Sequence, residues 1–308
     1  MSYGTRVARK NRFGLILIHA MAFFAITVVR PKAGDLILAA LFFFIRMLGI
    51  SAGYHRLFTH RSFQAKPGLA FILALMGNAA GIGPIKRWVA QHWLHHRFAE
   101  TEFDPHSPSV RGFWYAHVGW LLDPKTFDRA LSETMRVRFP EPIEWIDRHS
   151  NLLLFVQIPI LLVLHGLGNA WMPSAFASFG AGAHYSFSVA IVIGLHATFA
   201  VNSVCHTWGY TRKDSMDDSR NHPLIALATL GEGWHANHHS FPHSARLGFD
   251  FLEIDLTYRM LTIFEKLGWA SNLAQPPQQN AAHRRPQKGQ VRTLRLVPKV
   301  PDQRNLPL

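Results

Sequence analysis

Four long apolar runs limit what this chain can fold into. They are Phe13–Val29, Leu36–Ser51, Leu152–Gly168 and Ser188–Ser203. Each is about as long as the shortest helix that crosses the roughly 30 Å hydrocarbon layer of a bilayer. Buried helices of a large soluble protein are the alternative, but the runs come as two closely spaced pairs. A signal peptide explains only the first run, and no small-residue cleavage site follows it.

The apolar runs therefore predict an all-α integral membrane protein with four transmembrane helices, near residues 13–30, 35–53, 151–170 and 187–206. A fifth apolar run, Gly68–Gly83, lies between the histidine clusters HRLFTH and HWLHH. If this run crossed the bilayer, the two clusters would face opposite compartments and could not share a site. We therefore expect it to form a buried or half-inserted helix that does not cross.

Basic residues predict the orientation of the chain. The first twelve residues contain Arg6, Arg9, Lys10 and Arg12 and no acidic residue. The positive-inside rule then places the N-terminus in the cytoplasm, and with it the segments 52–150 and 204–308. Arg46 lies inside the second span, where a charge at mid-bilayer is costly. We expect Arg46 to bond within the protein or to lie near the cytoplasmic end of the span.

The charge balance points to an anionic partner. Lys and Arg outnumber Asp and Glu by 32 to 19, for a formal net charge of +13. Nucleic acid is disfavoured because the chain has no zinc-finger or RNA-binding signature, which leaves lipid surfaces and phosphorylated ligands. We predict one domain at residues 1–272 and a basic, disordered tail at 273–308. The tail either contacts anionic lipid head groups or has no binding role.

Histidines are concentrated at four places on the predicted cytoplasmic side. The chain has 19 of them. The clustered residues are His55 and His60; His92, His95 and His96; Asn202 and His206; and His235, His238 and His239. Nine buried imidazoles without partners would be costly, and a metal centre satisfies their nitrogens.

Spacing predicts how these side chains point. Residues three and four apart share one helix face, so the first imidazole of each HxxHH motif is expected to point the same way as the other two. Asn202 and His206 likewise share a face. His55 and His60 are five apart, about 140° around an ideal helix. They converge only if the helix ends or distorts there, so we expect them to serve two neighbouring metals or to lie at a helix end.

Nine imidazoles are too many for one ion and fit two. A catalytic zinc takes three protein ligands, and iron and copper also accept imidazole, so the ligand types leave the metal open. A hydrogen-bonded structural role is expected for the isolated histidines. These are His19, His117, His149, His165, His184, His196, His222, His243 and His283. His106, in FDPHSP, is left undecided.

With these spans and clusters in place, the chain resembles the membrane-bound fatty-acid desaturases. It is most similar to the acyl-CoA Δ9 (stearoyl-CoA type) branch. The resemblance runs from about Gly49 to Gly248 and includes the flanks of the clusters. The motifs that carry it are GISAGYHRLF, FDPHSP, HVGWLL, NSVCHTWG, DDSRNHPL, GEGWHANHH and FPHSARLG.

The resemblance implies a cytoplasmic helical cap that holds two irons on the nine clustered histidines, with Asn202 acting through a water. It implies O2-dependent insertion of a cis double bond, at Δ9, into a saturated chain carried as acyl-CoA or acyl lipid. Electrons must then come from a separate donor, a ferredoxin or a small cytochrome with its reductase. Lys86, Arg87 and Arg111 are candidate contacts to the phosphates of the acyl carrier.

Three alternatives stay open. An acyl-lipid desaturase or a di-iron hydroxylase would use the same ligands. A metal-handling membrane protein without enzymatic activity is another class, although the spans hold few ionisable residues. A zinc-dependent lipid hydrolase is the third, and it would carry one zinc per chain.

Overall fold

The computed structural model describes residues 1–276 except 213, 214 and 216. Among these residues, four helical stretches are long and apolar enough to cross a membrane: Tyr3–Val28, Ala33–Thr59, Ser150–Trp171 and Gly180–His206. The prediction of an all-α membrane protein with four spanning helices is confirmed. The described strands are only β1 (Gln64–Ala65) and β2 (Ala270–Ser271), which pair antiparallel.

The helices follow one another in a simple order along the chain. They are α1 (Tyr3–Val28), α2 (Ala33–Leu48), a π-helical segment (Gly49–Thr59), α3 (Pro67–Asn78), α4 (Ile85–Phe98), α5 (Pro108–Arg111), α6 (Phe113–His117), α7 (Pro124–Arg136), α8 (Glu141–Arg148), α9 (Ser150–Trp171), α10 (Phe179–Ser203), α11 (Pro223–Ala228), α12 (His235–Ser240) and α13 (Leu256–Lys266). Short 3₁₀ turns cover Gly119–Leu122 and Val204–His206.

Helix α1 begins at Tyr3, ten residues before the predicted span. The Ser2 side chain accepts a hydrogen bond from Thr5 N and caps the helix. Its first turn packs against α7, where Gly4 N donates to Asp128 Oδ1 at 2.7 Å. The N-terminal part of α1, which precedes the apolar run, is therefore packed against α7.

Helix α10 is the centre of the membrane bundle and packs against α1, α2 and α9. Arg46 is buried in this bundle, and its Nε and Nη2 donate to Gln157 Oε1 of α9 at 3.0 and 2.6 Å. The expectation that Arg46 bonds within the protein is confirmed. The partner of this buried cation is neutral, and Arg46 Nη1 has no hydrogen-bond partner among the described residues.

Helix α3 has 12 residues, a length of about 18 Å at 1.5 Å per residue. It is too short to cross, and it packs along the π-helical segment. The expectation that Gly68–Gly83 does not cross is confirmed, because the histidine clusters before and after it meet at one place.

The packed domain continues beyond the predicted boundary at residue 272. Leu273 is buried, Ala274 N donates to Ser62 O at 2.8 Å, and Ala245 N donates to Ala274 O at 2.7 Å. The rest of the predicted tail, 277–308, lies outside the described residues.

Candidate metal centre

The π-helical segment brings His55 and His60 together. In a π-helix the backbone hydrogen bond runs from residue i+5 to residue i, and His60 N donates to His55 O at 3.0 Å. Residues five apart then lie nearly above one another, and the two imidazole centroids are 4.7 Å apart. Of the two alternatives expected for this pair, the position at a helix end is the one found, since His60 caps the distorted π-helical segment; both rings join one group of nitrogens, not two.

Each HxxHH motif is divided between two groups of nitrogens. On α4, the Nε2 atoms of His92 and His96 are 2.9 Å apart, whereas His95 points to a different group. On α12, His235 and His239 share a group and His238 joins the other. The prediction that all three imidazoles of a motif point the same way is wrong in detail. In each motif the first and last histidines, four residues apart, join the same group, and the middle histidine joins the other group.

The first group contains five histidines whose ligand atoms lie within 4.8 Å of one another: His55, His60, His92, His96 and His238. Four Nε2–Nε2 contacts of 2.9–3.0 Å connect them. A neutral imidazole nitrogen carries at most one hydrogen, so these four contacts cannot all be hydrogen bonds. Five imidazole nitrogens this close to one another are a ligand set that could hold a cation.

The second group contains four histidines within the same distance limit: His95, His206, His235 and His239. His235 and His206 meet through their Nε2 atoms at 3.0 Å, and His95 and His239 at 3.1 Å. The two groups are adjacent, since the rings of His96 and His239 are 4.5 Å apart. The fold thus presents two neighbouring four- to five-histidine sites.

Carboxylates contact the Nδ1 atoms of several of these rings, on the side away from the grouped Nε2 atoms. His95 Nδ1 donates to Asp104 Oδ1 at 3.0 Å, and His239 Nδ1 donates to Asp217 Oδ2 at 2.5 Å. Glu232 Oε2 lies 2.5 Å from His55 Nδ1. Such carboxylates fix the tautomer of a ligating histidine and leave its Nε2 lone pair free for the metal.

The donor set fits metal ions. Because His95 and His239 both donate Nδ1–H to a carboxylate, their Nε2 lone pairs face each other, and only a cation or an extra proton relieves the repulsion. Burial, reinforced by neighbouring histidines, lowers the pKa of most of the rings well below 6.5 and disfavours the extra proton. These rings are His60, His92, His95, His96, His235, His238 and His239. Neutral imidazoles are the form that binds a metal.

Glu232 is itself held by a buried network. Burial alone would raise its pKa, but His55 and Arg56 beside it lower that pKa to about 2. Arg56 Nη2 lies 3.2 Å from Glu232 Oε1, and both Arg56 terminal nitrogens bond Asp255 at 3.0 Å. Glu232 therefore stays ionised next to His55.

A small cavity adjoins the two groups. Its volume is about 30 Å³, room for at least one water by the ~10–15 Å³ criterion. It is lined by Met47, Ile50, His55, Trp88, His92, Thr198, Val201, Asn202, Thr229, Glu232 and His235. Asn202 faces the same cavity as His235, which is compatible with its predicted action through a water.

The undecided His106 lies beside the second group. Its ring is 4.4 Å from that of His95, and its Nδ1 is 3.8 Å from Asp104 Oδ1. His106, Asp104 and His95 could also hold an ion together. His243, predicted not to be a ligand, bonds the backbone oxygen of His60 through Nδ1 at 3.1 Å.

The three predicted substrate cations have different surroundings. Lys86 Nζ pairs with Glu144 at 3.0 Å, and Arg111 Nη1 pairs with Asp123 at 2.7 Å. The Arg87 guanidinium lies over the Phe127 ring at 5.5 Å, and burial lowers its pKa. None of the three lines the cavity described above. Their role in substrate binding stays a prediction.

Sequence reasoning missed Asp104, Asp217, Glu232 and Arg56 as partners of the site. Asp104 and Glu232 stand inside the quoted motifs FDPHSP and GEGWHANHH, and Asp217 is the first residue of DDSRNHPL. A carboxylate within a few residues of a histidine cluster is a signal that could have identified Glu232, three residues before His235, but not Asp104 or Asp217, which lie eight and eleven residues from the nearest clustered histidine.

Comparison with known proteins gives one consistent family. A family model described as fatty acid desaturase matches residues 35–270. The sn-2 palmitoyl-lipid 9-desaturase of Nostoc sp. (strain 36) is 36% identical over 244 residues, which cover 77% of this chain and 80% of that protein. The icosanoyl-CoA 5-desaturase of Limnanthes douglasii is 32% identical over 268 residues, 87% of this chain and 72% of that one. A probable acyl-CoA desaturase of Schizosaccharomyces pombe is 35% identical over 268 residues, which cover 85% of this chain and 53% of that protein.

Proposed function

The chain belongs to the fatty acid desaturase family, and from this premise we propose that it inserts a cis double bond at Δ9 of a saturated acyl chain. The reaction converts –CH2–CH2–, O2, two electrons and two protons into –CH=CH– and two molecules of water. The observation that carries this proposal is the pair of adjacent groups of buried and half-buried histidine nitrogens. The nine clustered histidines would hold two irons, which would supply the O2 activation needed to remove hydrogen from an unactivated methylene.

The protein's own part is to position the acyl chain. A saturated chain has no polar group at its middle, so shape must select the carbon that reacts. Met47, Ile50 and Val201 give the cavity an apolar wall, and His55, His92 and His235 face it from the metal side. Helix α10 contributes Thr198, Val201 and Asn202 to the lining, whereas α3 and α9 contribute no residue to it.

The position of the double bond and the carrier belong to the same proposal. The relatives include 9-desaturases that act on lipids and 5-desaturases that act on acyl-CoA. Acyl-CoA and acyl lipid are therefore both supported as carriers. The formal charge of +13 supports docking of a separate, acidic electron donor. The basic N-terminus supports a cytoplasmic site.

The proposal is tested by expression in a host that lacks desaturases, followed by mapping of double bonds in its fatty acids. We expect monounsaturated chains with the bond at Δ9 and about two irons per purified chain. His238→Ala should abolish the product, while the matched variant His243→Ala should keep most of it. A hydroxylated chain without an alkene would favour the hydroxylase alternative, and one zinc per chain would favour the hydrolase.

A further inference from the structure

Four large apolar side chains are exposed around one end of α10, outside the four spanning stretches. Trp114 is 73% exposed, Trp208 56%, Leu224 71% and Leu227 61%. We refer to these four residues as the apolar rim. Exposed apolar side chains grouped in this way mark a contact surface for a partner.

Helix α6, which carries Trp114, is fastened to the membrane bundle by a chain of histidines. His117 ends α6, and its Nε2 contacts His196 Nδ1 of α10 at 2.9 Å. His196 Nε2 in turn contacts His19 Nε2 of α1 at 2.9 Å. These contacts hold α6 beside the turns of α10 that belong to the spanning stretch Gly180–His206.

Trp208 continues the same surface beyond the end of α10. Its ring centroid lies 5.1 Å from that of Phe113, which is itself 5.2 Å from that of Trp114. Aromatic side chains with a polar N–H are favoured where a membrane meets water. The two tryptophans and Phe113 thus form one aromatic group at the end of a spanning helix.

Helix α11, which carries Leu224 and Leu227, has no charged residue. It packs against α10, and its Ala226 is buried against Trp234. Leu224 and Leu227 lie on the opposite, exposed face. Thr229, which follows α11 directly, lines the cavity together with Thr198 and Val201 of α10.

We propose that the apolar rim is seated in the boundary between lipid head groups and acyl chains, and that acyl chains reach the cavity from the bilayer along the α10–α11 edge. The occupant is lipid because the rim is continuous with the lipid-facing surface of α10, where Ile193 is 54% exposed. The seating does not depend on the chemistry of the site. The access route rests on the proposed function.

The seating is tested with a fluorescent bimane label at Trp114→Cys and, separately, at Leu224→Cys. The native Cys205 is completely buried, so labelling is directed to the introduced thiol. In phosphatidylcholine liposomes with brominated acyl chains, we expect at least about twofold quenching at both positions. Met135→Cys is the control, on the charged helix α7 and 63% exposed. Quenching at 114 and 224 no greater than at 135 overturns the seating.

The access route is tested with the double variant Leu224→Glu/Leu227→Glu and the control Met135→Glu. In the desaturase-deficient host, we expect about a tenfold loss of unsaturated product for the double variant, because charge is expelled from the acyl region, with iron per chain unchanged. If that variant loses iron, the milder variant Leu224→Ser/Leu227→Ser is measured in its place, and the same loss of unsaturated product at unchanged iron content is expected. Unchanged product overturns the route, whereas no product from the unsubstituted chain counts against the proposed function.

Discussion

The Nε2 atoms of His95 and His239 lie 3.1 Å apart, although the two residues are 144 positions apart in the sequence. The Nδ1–H of His95 donates to Asp104, and the Nδ1–H of His239 donates to Asp217. Two lone pairs therefore face each other inside a buried site. A cation between them would relieve the repulsion, so we expect metal binding and folding to be coupled.

Removal of the metal should lower the stability of the cap. A ligand that binds only the folded state adds about 4 kcal/mol at a thousand times its Kd. We expect a strong iron chelator to lower the midpoint of thermal unfolding in detergent, and added iron to restore it. The double variant His95→Ala/His239→Ala should show a much smaller effect of the chelator. Identical unfolding with and without chelator would contradict the coupling.

The carboxylate behind His95 should tune metal affinity. Asp104→Asn keeps the shape of the side chain but removes the charge that orients His95, and losses of about 10–100-fold in affinity are typical for such partners. Metal retained during competition with a graded series of chelators measures the effect. Asp123→Asn is the matched control, because Asp123 pairs with Arg111 away from the histidines. Equal retention by the two variants would show that Asp104 does not tune the site.

The sequence predicted the four spans, the histidines that meet and the short helix that does not cross. These features follow from run length and from the requirement that ligands share one side of a membrane. It did not predict how the ligands divide. An ideal helix places His55 and His60 about 140° apart, and only the π-helical hydrogen bond of His60 to His55 brings them together.

The partners of the ligands were also beyond reach of sequence periodicity. Asp217 and His239 are 22 positions apart, and Asp255 and Arg56 are 199 apart. Helical periodicity cannot predict such contacts, because they form only when tertiary packing brings a distant loop against the residue. The division of each HxxHH motif has a local cause instead, because adjacent residues of an α-helix are about 100° apart and His95 and His96 therefore join different groups.

His60 should be a ligand and His243 should not, although both lie beside the same group. His60→Ala removes one of five nitrogens from the first group, so we expect metal content to fall toward one ion per chain. His243→Ala removes only a bond to the backbone oxygen of His60, and metal content should stay near that of the unsubstituted protein. Elemental analysis of both purified variants measures this. A loss of metal in His243→Ala equal to that in His60→Ala would sink the assignment.

Arg56 should be the most costly single cation to remove. It is buried, and its guanidinium bonds Asp255, Glu232 and the backbone oxygen of Ala245. Arg56→Leu leaves two buried carboxylates without their partner, which costs about 3–5 kcal/mol in comparable pairs. Thermal or denaturant unfolding of the purified protein measures the loss.

Arg148→Leu is the control for this prediction. Arg148 also pairs with a carboxylate, that of Glu141, but both side chains are exposed, so water replaces the lost contact and no measurable change is expected. Because Glu232 lies against His55, Arg56→Leu should also weaken metal binding, whereas Arg148→Leu should not. Equal stability of the two variants would mean that the Asp255–Arg56–Glu232 network does not stabilise the fold, and equal metal binding would mean that it does not support the metal centre.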